Sequence, residues 1–574
     1  MAESPFPRAD RLLVLLVAVL SLSPVVGAAE RLRDAPVAWY DDDRRPFETP
    51  VETRDPNLFY DFANETVFRP AGYYLNPVRN LRRLAPAVSA DKPAPNVNRL
   101  GEVPNSSWFT NRIGLYPMTA DEVARGPNTT DGPSREGGWT IVAAKTEGVT
   151  PGFTIVDATG QRYLIKFGPV EYPVMPTAAA VISQRLFHAI GYWVPEDDIV
   201  FFRRDNLSVS PDATLDLPGG GERPMNYADI DEILARVEQL PSGLYRAVAS
   251  RFLPGRPVGP FDYLGTRSDD PNDRIKHQRR RELRGLKVFA EWVNHFDTKQ
   301  QNTLDVLIEH EEGGHHLRHY LIDFASTLGT GAYGPIRKFG WEAVLDPKAV
   351  VRRTLTLGLL EDDYRLVERP DGTSEIGWFD AEHFTPQGFE PPIQNPAFMQ
   401  MTERDAYWAA KILSAFTDEH LRAVSEEARY RDSRSARAIA RILADRRDRI
   451  CRAWFDVIPP LDFFVHENGT LRYRDLGHER GIYVRTGTGG TPRYRARVVA
   501  VDAEREPAGD VEWVESEHTV VSLDTAGVRD ASIGAYPFVE VEVQVDRGEG
   551  WSASIRSWIA RRSGRVVEVH REKN

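Results

Sequence analysis

The segment His295-Phe-Asp297-Thr-Lys299-Gln-Gln-Asn302 decides the fold of this 574-residue chain. It places a carboxylate, an ammonium group and an amide in a fixed order along one short loop. A second segment, Leu321-Ile-Asp323-Phe324-Ala325, follows after a short insertion and puts another carboxylate at the end of a predicted apolar strand. The two segments together hold a proton acceptor, a cation and oxygen atoms that suit a hard metal ion.

The spacing of these residues resembles that of a protein-kinase catalytic loop and its metal-binding Asp-Phe-Gly segment, and this resemblance implies phosphoryl transfer. Asp297 would accept the proton of an attacking hydroxyl group, and Lys299 would neutralise the phosphoryl group in transit. Asn302 and Asp323 would supply oxygen ligands to magnesium. So short a pattern also arises by chance. The order of elements in the chain strengthens the assignment. A predicted strand that ends in a lysine comes first, a predicted helix follows it, and the loop comes next.

Three predicted strands precede the loop, at Trp139–Lys145, Gly152–Asp157 and Arg162–Phe167, with alternating polarity in the third. Lys166 lies at the end of the third strand, where its ammonium could reach the phosphates of a nucleotide. The alternative is an ordinary exposed strand lysine.

Gly148 and Gly152 lie in the loop between the first two strands, and its backbone N–H groups could cover phosphates. The loop does not have the G-x-G-x-x-G form. A plain hairpin is therefore the alternative.

The helix predicted over Pro176–Gly191 contains no glutamate. A kinase normally fixes its strand lysine with a Glu from this helix. Glu171 precedes the helix and is the candidate substitute. The missing carboxylate argues against full catalytic competence and leaves nucleotide binding in place.

The region from about Trp139 to Trp454 resembles the protein-kinase-like superfamily, and within it the atypical branch of HipA-type, phosphatidylinositol-type and secretory-pathway kinases. The resemblance covers a little over half of the chain. It implies a two-lobed α+β fold that binds ATP and Mg²⁺. The residues whose roles it implies are Asp297 as catalytic base, Lys299 as phosphoryl stabiliser, Lys166, Gly148 and Gly152 as nucleotide contacts, and Asn302 and Asp323 as metal ligands.

The resemblance implies a phosphotransferase acting on a protein or a small hydroxylated acceptor, and the N-terminal sequence predicts that it is exported. The alternative is a pseudokinase, a non-catalytic nucleotide-binding or interaction protein of the envelope or the extracellular space. The predicted organisation is a signal peptide at 1–29, an irregular N-terminal extension at 30–137 that wraps a later domain, a small lobe with an insertion at 138–250, a mainly helical large lobe at 251–458, and a β-rich C-terminal module at 459–574.

The N-terminus predicts export. Arg8 and Arg11 precede the apolar run Leu12–Val26, and small residues follow it at Gly27-Ala-Ala. We expect a periplasmic or extracellular protein, with an uncleaved membrane anchor as the alternative. No other segment is long and apolar enough to suggest an integral membrane domain after cleavage. The abundance of Arg, Ala and Asp favours a bacterial source.

Composition narrows the function classes. The chain is 41% hydrophobic and 27% charged, which is typical of a globular protein, and its formal net charge of -12 argues against a general nucleic-acid binder. The single cysteine, Cys451, excludes an internal disulfide framework. Four histidines crowd the insertion His310–His319. Their spacing is not that of a zinc motif, and the glycines among them predict a hairpin tip.

Overall fold

The computed structural model describes residues 31–55, 58–77, 92–145, 150–216, 221–357, 359–360, 362–370, 372–485 and 491–574. The predicted signal peptide at 1–29 and Gly148 lie outside the described residues. The fold is mixed α/β, with one large mixed sheet and several smaller sheets.

Seven strands form the large sheet in the order β4-β7-β3-β2-β1-β5-β6. Their bounds are β1 Trp139–Ala144, β2 Gly152–Val156, β3 Arg162–Lys166, β4 Asp197–Phe202, β5 Leu207–Asp216, β6 Glu222–Pro224 and β7 Tyr245–Arg251. The first three strands form an antiparallel meander, and β7 lies between β3 and β4. The three strands predicted before the catalytic segment are observed, each ending one residue earlier than predicted.

The helix Met175–Ile190 is buried along almost its whole length. Ala180 and Val181 on this helix belong to one apolar cluster with Ile199 of β4 and Val248 of β7. A glycine is required where the helix ends, because a Cβ at Gly191 would lie 2.4 Å from the ring of Phe109. The helix has small residues where a glutamate could have paired with Lys166. These small residues allow close packing between the helix and the sheet.

Helices dominate the next part of the chain, and their bounds are Tyr227–Leu234, Arg281–Val293, Pro347–Leu355, Glu403–Ser414, Asp418–Glu426 and Ser433–Phe455. Small sheets accompany them, formed by β8 Arg256–Pro257, β9 Thr303–Glu309 and β10 His315–Leu321, and by β11 Thr330–Gly331 and β12 Gly334–Pro335. The hairpin predicted for the histidine-rich insertion is observed, with β9 and β10 paired antiparallel over their full length.

The segment predicted as an irregular N-terminal extension is irregular only in part. It contains the helices Leu58–Ala63, Arg69–Leu75 and Ala120–Arg125, with a π-helix at Asn64–Phe68 joining the first two. The buried residues of this π-helix are Glu65 and Thr66, which are polar. A helix that packs through polar side chains shows no hydrophobic period, so the sequence pattern could not reveal it.

The C-terminal part carries two sheets with short helices between them. Strands β13 Leu461–Glu467, β14 Thr470–Asp475 and β17 Val520–Ser522 form one sheet; β15 Arg493–Val501, β16 Val514–Ser516, β18 Phe538–Asp546, β19 Ile555–Ala560 and β20 Val566–Arg571 form the other. The helices are Leu476–Glu479, Ile482–Arg485 and Ala526–Asp530. Val498, Val541 and Ile559 from the second sheet join the same apolar core as the helices before it.

Among the described residues, no helix has the length and apolar character that a membrane span requires.

One helix crossing depends on a glycine. A Cβ at Gly285, in the helix Arg281–Val293, would lie 2.8 Å from the indole ring of Trp408 in the helix Glu403–Ser414. Gly285→Ala should therefore destabilise the fold by about 1–3 kcal/mol through overpacking, although Ala favours helix by about 0.5–1 kcal/mol. Gly72→Ala is the control, because a Cβ at this exposed helical glycine meets nothing within 4 Å. Calorimetry should show a lower unfolding temperature for the first variant only. Equal behaviour of the two variants would contradict this packing.

Candidate active site

The carboxylate of Asp323 lies two residues after the end of β10, at a strained backbone position. Its φ of 59° falls in the left-handed region, which Asp tolerates better than most residues. Ile322 N donates to Asn302 O at 3.0 Å, so the segment is tied to the preceding loop. Ala325 N is 3.4 Å from Asp323 Oδ1. Solvent reaches the Asp323 side chain although protein surrounds it, as expected for a group in a cleft.

The loop 295–302 is built on the end of a helix. Asn294 caps the helix Arg281–Val293 in the left-handed conformation, with φ 52°, and turns the chain into the loop. His295 is buried, its Nδ1 lies 3.4 Å from Ser326 O, and burial lowers the pKa of its imidazole. His295 therefore connects the loop to the segment after Asp323.

Asp297, Lys299 and Asn302 lie together in the loop. Lys299 Nζ is 2.9 Å from Asp297 Oδ1, and both side chains are roughly one-third exposed, at 30% and 27%. Asn302 Nδ2 donates to Asp297 O at 2.8 Å, which fixes the loop from inside. From outside, Asn395 Nδ2 donates to Thr298 O at 3.1 Å. The loop thus holds an accessible carboxylate beside an ammonium on a braced backbone.

Lys166 ends β3, and its charge responds to two carboxylates. Burial alone would lower the pKa of its ammonium, but Asp323 and Asp197 raise the pKa above its ordinary value. In turn, Lys166 holds the pKa of the Asp323 carboxyl below its ordinary range, with smaller contributions from Lys145 and Lys299. The structure therefore brings the strand lysine and the acid after β10 into one electrostatic unit.

Lys145 belongs to this unit although its role was not predicted. It follows β1, and its Nζ donates to Thr150 O at 2.8 Å. This bond holds the ammonium at the start of β2 while its charge acts on Asp323. The sequence signal was present, since Lys145 ends a strand in the same way as Lys166.

Asp197 is the second residue that the sequence argument missed. It begins β4, is 1% exposed, and burial raises the pKa of its carboxyl against the opposing charge of Lys166. Asp197 pairs with Ser250 of β7, and Lys166 pairs with Val248. Because side chains two residues apart share a face of a sheet, Asp197 and Lys166 lie on the same face. Asp197 Oδ1 has no hydrogen-bond partner among the described residues.

The structure does not support Glu171 as the substitute for the missing helix glutamate. Glu171 is exposed and lines a cavity with Glu238 and Arg431, and its charge is absent from the carboxylates that act on Lys166. On the helix itself, Gln184 Nε2 donates a hydrogen bond to Pro195 O at 2.5 Å. The acid facing Lys166 therefore comes from β4, through Asp197.

Gly152 lies directly opposite Lys166 in the pairing of β2 with β3. A Cβ at Gly152 would approach Ile165 O to 2.3 Å, so close strand contact alone requires a glycine here. This packing accounts for Gly152 without a phosphate.

The residues present fit a divalent cation bound together with a polyphosphate. Among the described residues, no group of three or more His, Cys, Asp or Glu side chains could hold a metal ion. Asp323 offers a carboxylate, and Asn302 offers Oδ1, since its Nδ2 is used on Asp297 O. Mg²⁺ commonly takes one or two protein oxygens and completes its shell with phosphate and water. The ammonium groups of Lys145, Lys166 and Lys299 around Asp323 suit the phosphates.

The N-terminal π-helix contacts the loop. Glu65 is buried, and its carboxylate accepts a hydrogen bond from Gln300 N. Arg69, one turn further on, donates to Asp262 with both Nη atoms, the Nη1–Oδ1 distance being 2.9 Å. Burial raises the pKa of the Glu65 carboxyl to about 7. The extension thus supports the loop through a protonation-sensitive contact.

Comparisons with known proteins gave results only among solved structures. No family model matches the chain, and no curated protein matches it. The Golgi casein kinase with Mn/ADP bound is matched over 58% of this chain and 75% of that chain, at 11% identity and a TM-score of 0.27. The structure of hydra Fam20 with sugar is matched over 52% of this chain and 96% of that chain, at 10% identity and a TM-score of 0.22. A further crystal structure of the Golgi casein kinase is matched over 58% of this chain and 75% of that chain, at 9% identity and a TM-score of 0.24. The residue assignments depend on the geometry above and not on these similarities.

Replacement of Asp197 by Asn should lower the pKa of Lys166, because it removes one of the two carboxylates that stabilise the ammonium. The pH dependence of Lys166 modification by an amine-reactive reagent, followed by mass spectrometry, measures this directly. Asp198→Asn is the matched control: Asp198 neighbours Asp197 in β4, faces Arg185 and is not among the charges that act on Lys166. A Lys166 titration that is equal in both variants would show that Asp197 does not act on the lysine.

Glu65→Gln should change how stability depends on pH. The folded pKa of about 7 exceeds the ordinary value, so the Glu65 contribution is present below the unfolded pKa and is lost as pH rises through about 7. Gln keeps an acceptor oxygen and does not titrate. The unfolding temperature of the variant relative to wild type should therefore rise between about pH 5 and pH 8. Parallel curves would exclude a raised pKa at this contact.

Proposed function

We propose that this protein is an exported ATP- and Mg²⁺-dependent phosphotransferase that acts on a protein or a small hydroxylated acceptor. The observation that carries the proposal is that charges from three separate segments act on one another: Lys166 from β3, Lys299 of the loop 295–302, and Asp323 after β10. We place these groups around one cleft. Perturbed titratable groups gathered in a cleft are typical of functional sites. Export rests on the N-terminal sequence pattern alone.

We propose a two-lobed, kinase-like arrangement around this cleft. The strands β1, β2, β3, β7 and β4 with the helix Met175–Ile190 would form the small lobe. The helices Arg281–Val293, Glu403–Ser414 and Ser433–Phe455 would form the core of the large lobe. Lys166 then comes from one lobe and Asp297 from the other, so a substrate between the lobes would contact both. The two C-terminal sheets would form the predicted β-rich module.

Asp297 would act as the proton acceptor. In the reaction the acceptor oxygen forms a bond to the γ-phosphorus, the bond from that phosphorus to the bridging oxygen breaks, and ADP leaves. The hydroxyl proton passes to the Asp297 carboxylate. Lys299 Nζ, 2.9 Å from Asp297 Oδ1, places a positive charge beside the group in transit.

The remaining residues hold the nucleotide. Lys166, kept charged by Asp323 and Asp197, would contact the nucleotide phosphates. Asp323 and Asn302 would hold the divalent cation, which neutralises phosphate charge when bound. Lys145 adds a third cation to the cleft. Gly148 and Gly152 stay predicted nucleotide contacts.

One observation favours a second function, a non-catalytic nucleotide-binding protein. The helix Met175–Ile190 supplies no carboxylate to Lys166, and its Gln184 is bonded to a backbone oxygen instead. In this alternative Lys166 and Asp323 would bind a nucleotide without turnover. Binding and turnover therefore have to be measured on the same variants.

The test uses the chain without residues 1–29, with ATP and Mg²⁺. A ligand at about 100 times its dissociation constant stabilises a fold by roughly 2.7 kcal/mol, which a thermal shift detects. Asp323→Asn should abolish the Mg²⁺-dependent shift. Asp297→Asn should keep the shift and reduce ADP release in the presence of dephosphorylated casein by about 10²-fold or more. Asp524→Asn is the control, because it changes an exposed side-chain carboxylate in the C-terminal part of the chain.

The outcomes separate the two functions. A Mg²⁺-dependent shift with ADP release that depends on Asp297 supports the phosphotransferase. A shift without ADP release by the wild-type chain supports the non-catalytic alternative. If no nucleotide produces a shift, both functions are excluded.

A further inference from the structure

A second cationic site surrounds Trp193, which lies between the helix Met175–Ile190 and β4. Three guanidinium groups pack against its indole ring, with their central carbons 4.4 Å, 5.4 Å and 5.6 Å from the ring centroid. They belong to Arg318, Arg112 and Arg44, in that order. Arg318 is in β10, and the other two come from the N-terminal part of the chain. We call these four residues the tryptophan–arginine cluster.

The positive charge of the cluster is not balanced by a carboxylate. In the part of the chain that the structure describes, none of the three guanidinium groups lies within 4.0 Å of an acid. Their hydrogen-bond acceptors are neutral oxygens: Ser106 O for Arg44, His188 O and Tyr192 O for Arg112, and the Tyr320 hydroxyl for Arg318. The buried guanidinium of Arg267, by contrast, has the carboxylate of Asp305 at 3.0 Å.

The carboxylate of Asp43, next to Arg44 in the chain, already has hydrogen-bond partners. It accepts hydrogen bonds from Ser107 N at 3.0 and 3.1 Å and from Ser107 Oγ at 2.6 Å. It acts on Arg44 from the neighbouring position in the chain without forming an ion pair. The cluster therefore keeps an excess of positive charge after Asp43 is counted.

The two histidines beside the cluster respond to this excess. His316 is 4% exposed and lies two residues before Arg318, on the same face of β10. Burial, then Arg318, His310 and Arg44, lower the pKa of its imidazole to about 4, against the charge of Asp43. Burial and Arg112 lower the pKa of His188 to about 3. The arginine charges thus add to the effect of burial in lowering both pKa values.

Several donors in the cluster have no acceptor. Arg44 Nε, Arg318 Nε and Trp193 Nε1 are buried and lack a hydrogen-bond partner among the described residues, as does His316 Nε2. A buried polar group without a partner costs about 1–3 kcal/mol, so such a concentration of them requires an explanation. Water would supply acceptors without charge. An anion would supply both.

We propose that the tryptophan–arginine cluster binds a tetrahedral oxyanion, such as a phosphate or sulfate group. Guanidinium forks match the oxygens of such groups in geometry and charge. Arg44, Arg112, Arg318 and Trp193 are each partly exposed, so a ligand can reach the site from solvent. The cations of the cluster are other residues than those of the proposed nucleotide cleft.

The experiment uses the chain without residues 1–29, free of nucleotide and divalent cations. Tryptophan is replaced by 5-fluorotryptophan, and the ¹⁹F resonance of Trp193 is assigned with Trp193→Phe. Inorganic phosphate, inorganic sulfate and O-phosphoserine are titrated against chloride at equal ionic strength. The Trp193 resonance should move and saturate with phosphate and not with chloride. A response to phosphoserine stronger than to free phosphate would identify a phosphate group carried by a larger molecule.

Four variants test the assignment. Arg318→Gln and Arg44→Gln should each weaken binding of the anion about tenfold or more, since a charge-assisted hydrogen bond contributes about 1.5–3 kcal/mol. Arg434→Gln, at an arginine whose side chain is 63% exposed, controls for general charge. Lys166→Gln removes a cation of the nucleotide cleft and should leave the Trp193 response unchanged.

Equal responses to phosphate and chloride would overturn the proposal and leave three arginines that only pack on a tryptophan. A phosphate response that survives Arg318→Gln and is lost in Lys166→Gln would place the anion in the cleft and would also overturn it. If an arginine variant fails to fold, the wild-type resonance still decides between binding and packing.

Discussion

The attraction between the Lys166 ammonium and the Asp323 carboxylate is the interaction on which the candidate site depends. Lys166 ends a strand of the large sheet, and Asp323 follows β10 in a different sheet. Burial opposes the charge on each group, yet each partner shifts the pKa of the other toward the charged form. Two parts of the chain that are distant in sequence thus place opposite charges close enough to stabilise each other.

Apolar packing holds the two charges in place. Phe324, next to Asp323, has its ring centroid 4.9 Å from that of Phe187 in the helix Met175–Ile190 and 5.4 Å from that of His295. On the same helix, Ser183 Oγ lies 2.7 Å from Thr327 Oγ1. The helix therefore packs on the segment after Asp323, and Ala180 and Val181 of the same helix pack on β4 and β7. Because one helix contacts both sides, the sheet that carries Lys166 cannot shift without moving the segment that carries Asp323.

Local features could be predicted from the sequence, and the features that depend on register or on distant contacts could not. The strands around Gly152 and Lys166 have clear alternation, and the spacing of Asp297, Lys299 and Asn302 needs no tertiary knowledge. Asp197 faces Lys166 only because β7 inserts between β3 and β4, and no local pattern reveals that order. Glu171 was close in sequence and lies elsewhere in space.

The origin of the acid facing Lys166 changes what can control the lysine. A glutamate on the helix would approach or leave the lysine whenever the helix moves. Asp197 lies in the same sheet as Lys166, two strands away, so strand pairing sets the distance between them. Pairing is fixed by backbone hydrogen bonds, and a slip of one residue would turn Asp197 to the opposite face. The lysine therefore keeps an acidic neighbour whatever the position of the helix, and movement of Met175–Ile190 would act on the site through Phe187 and Phe324 instead.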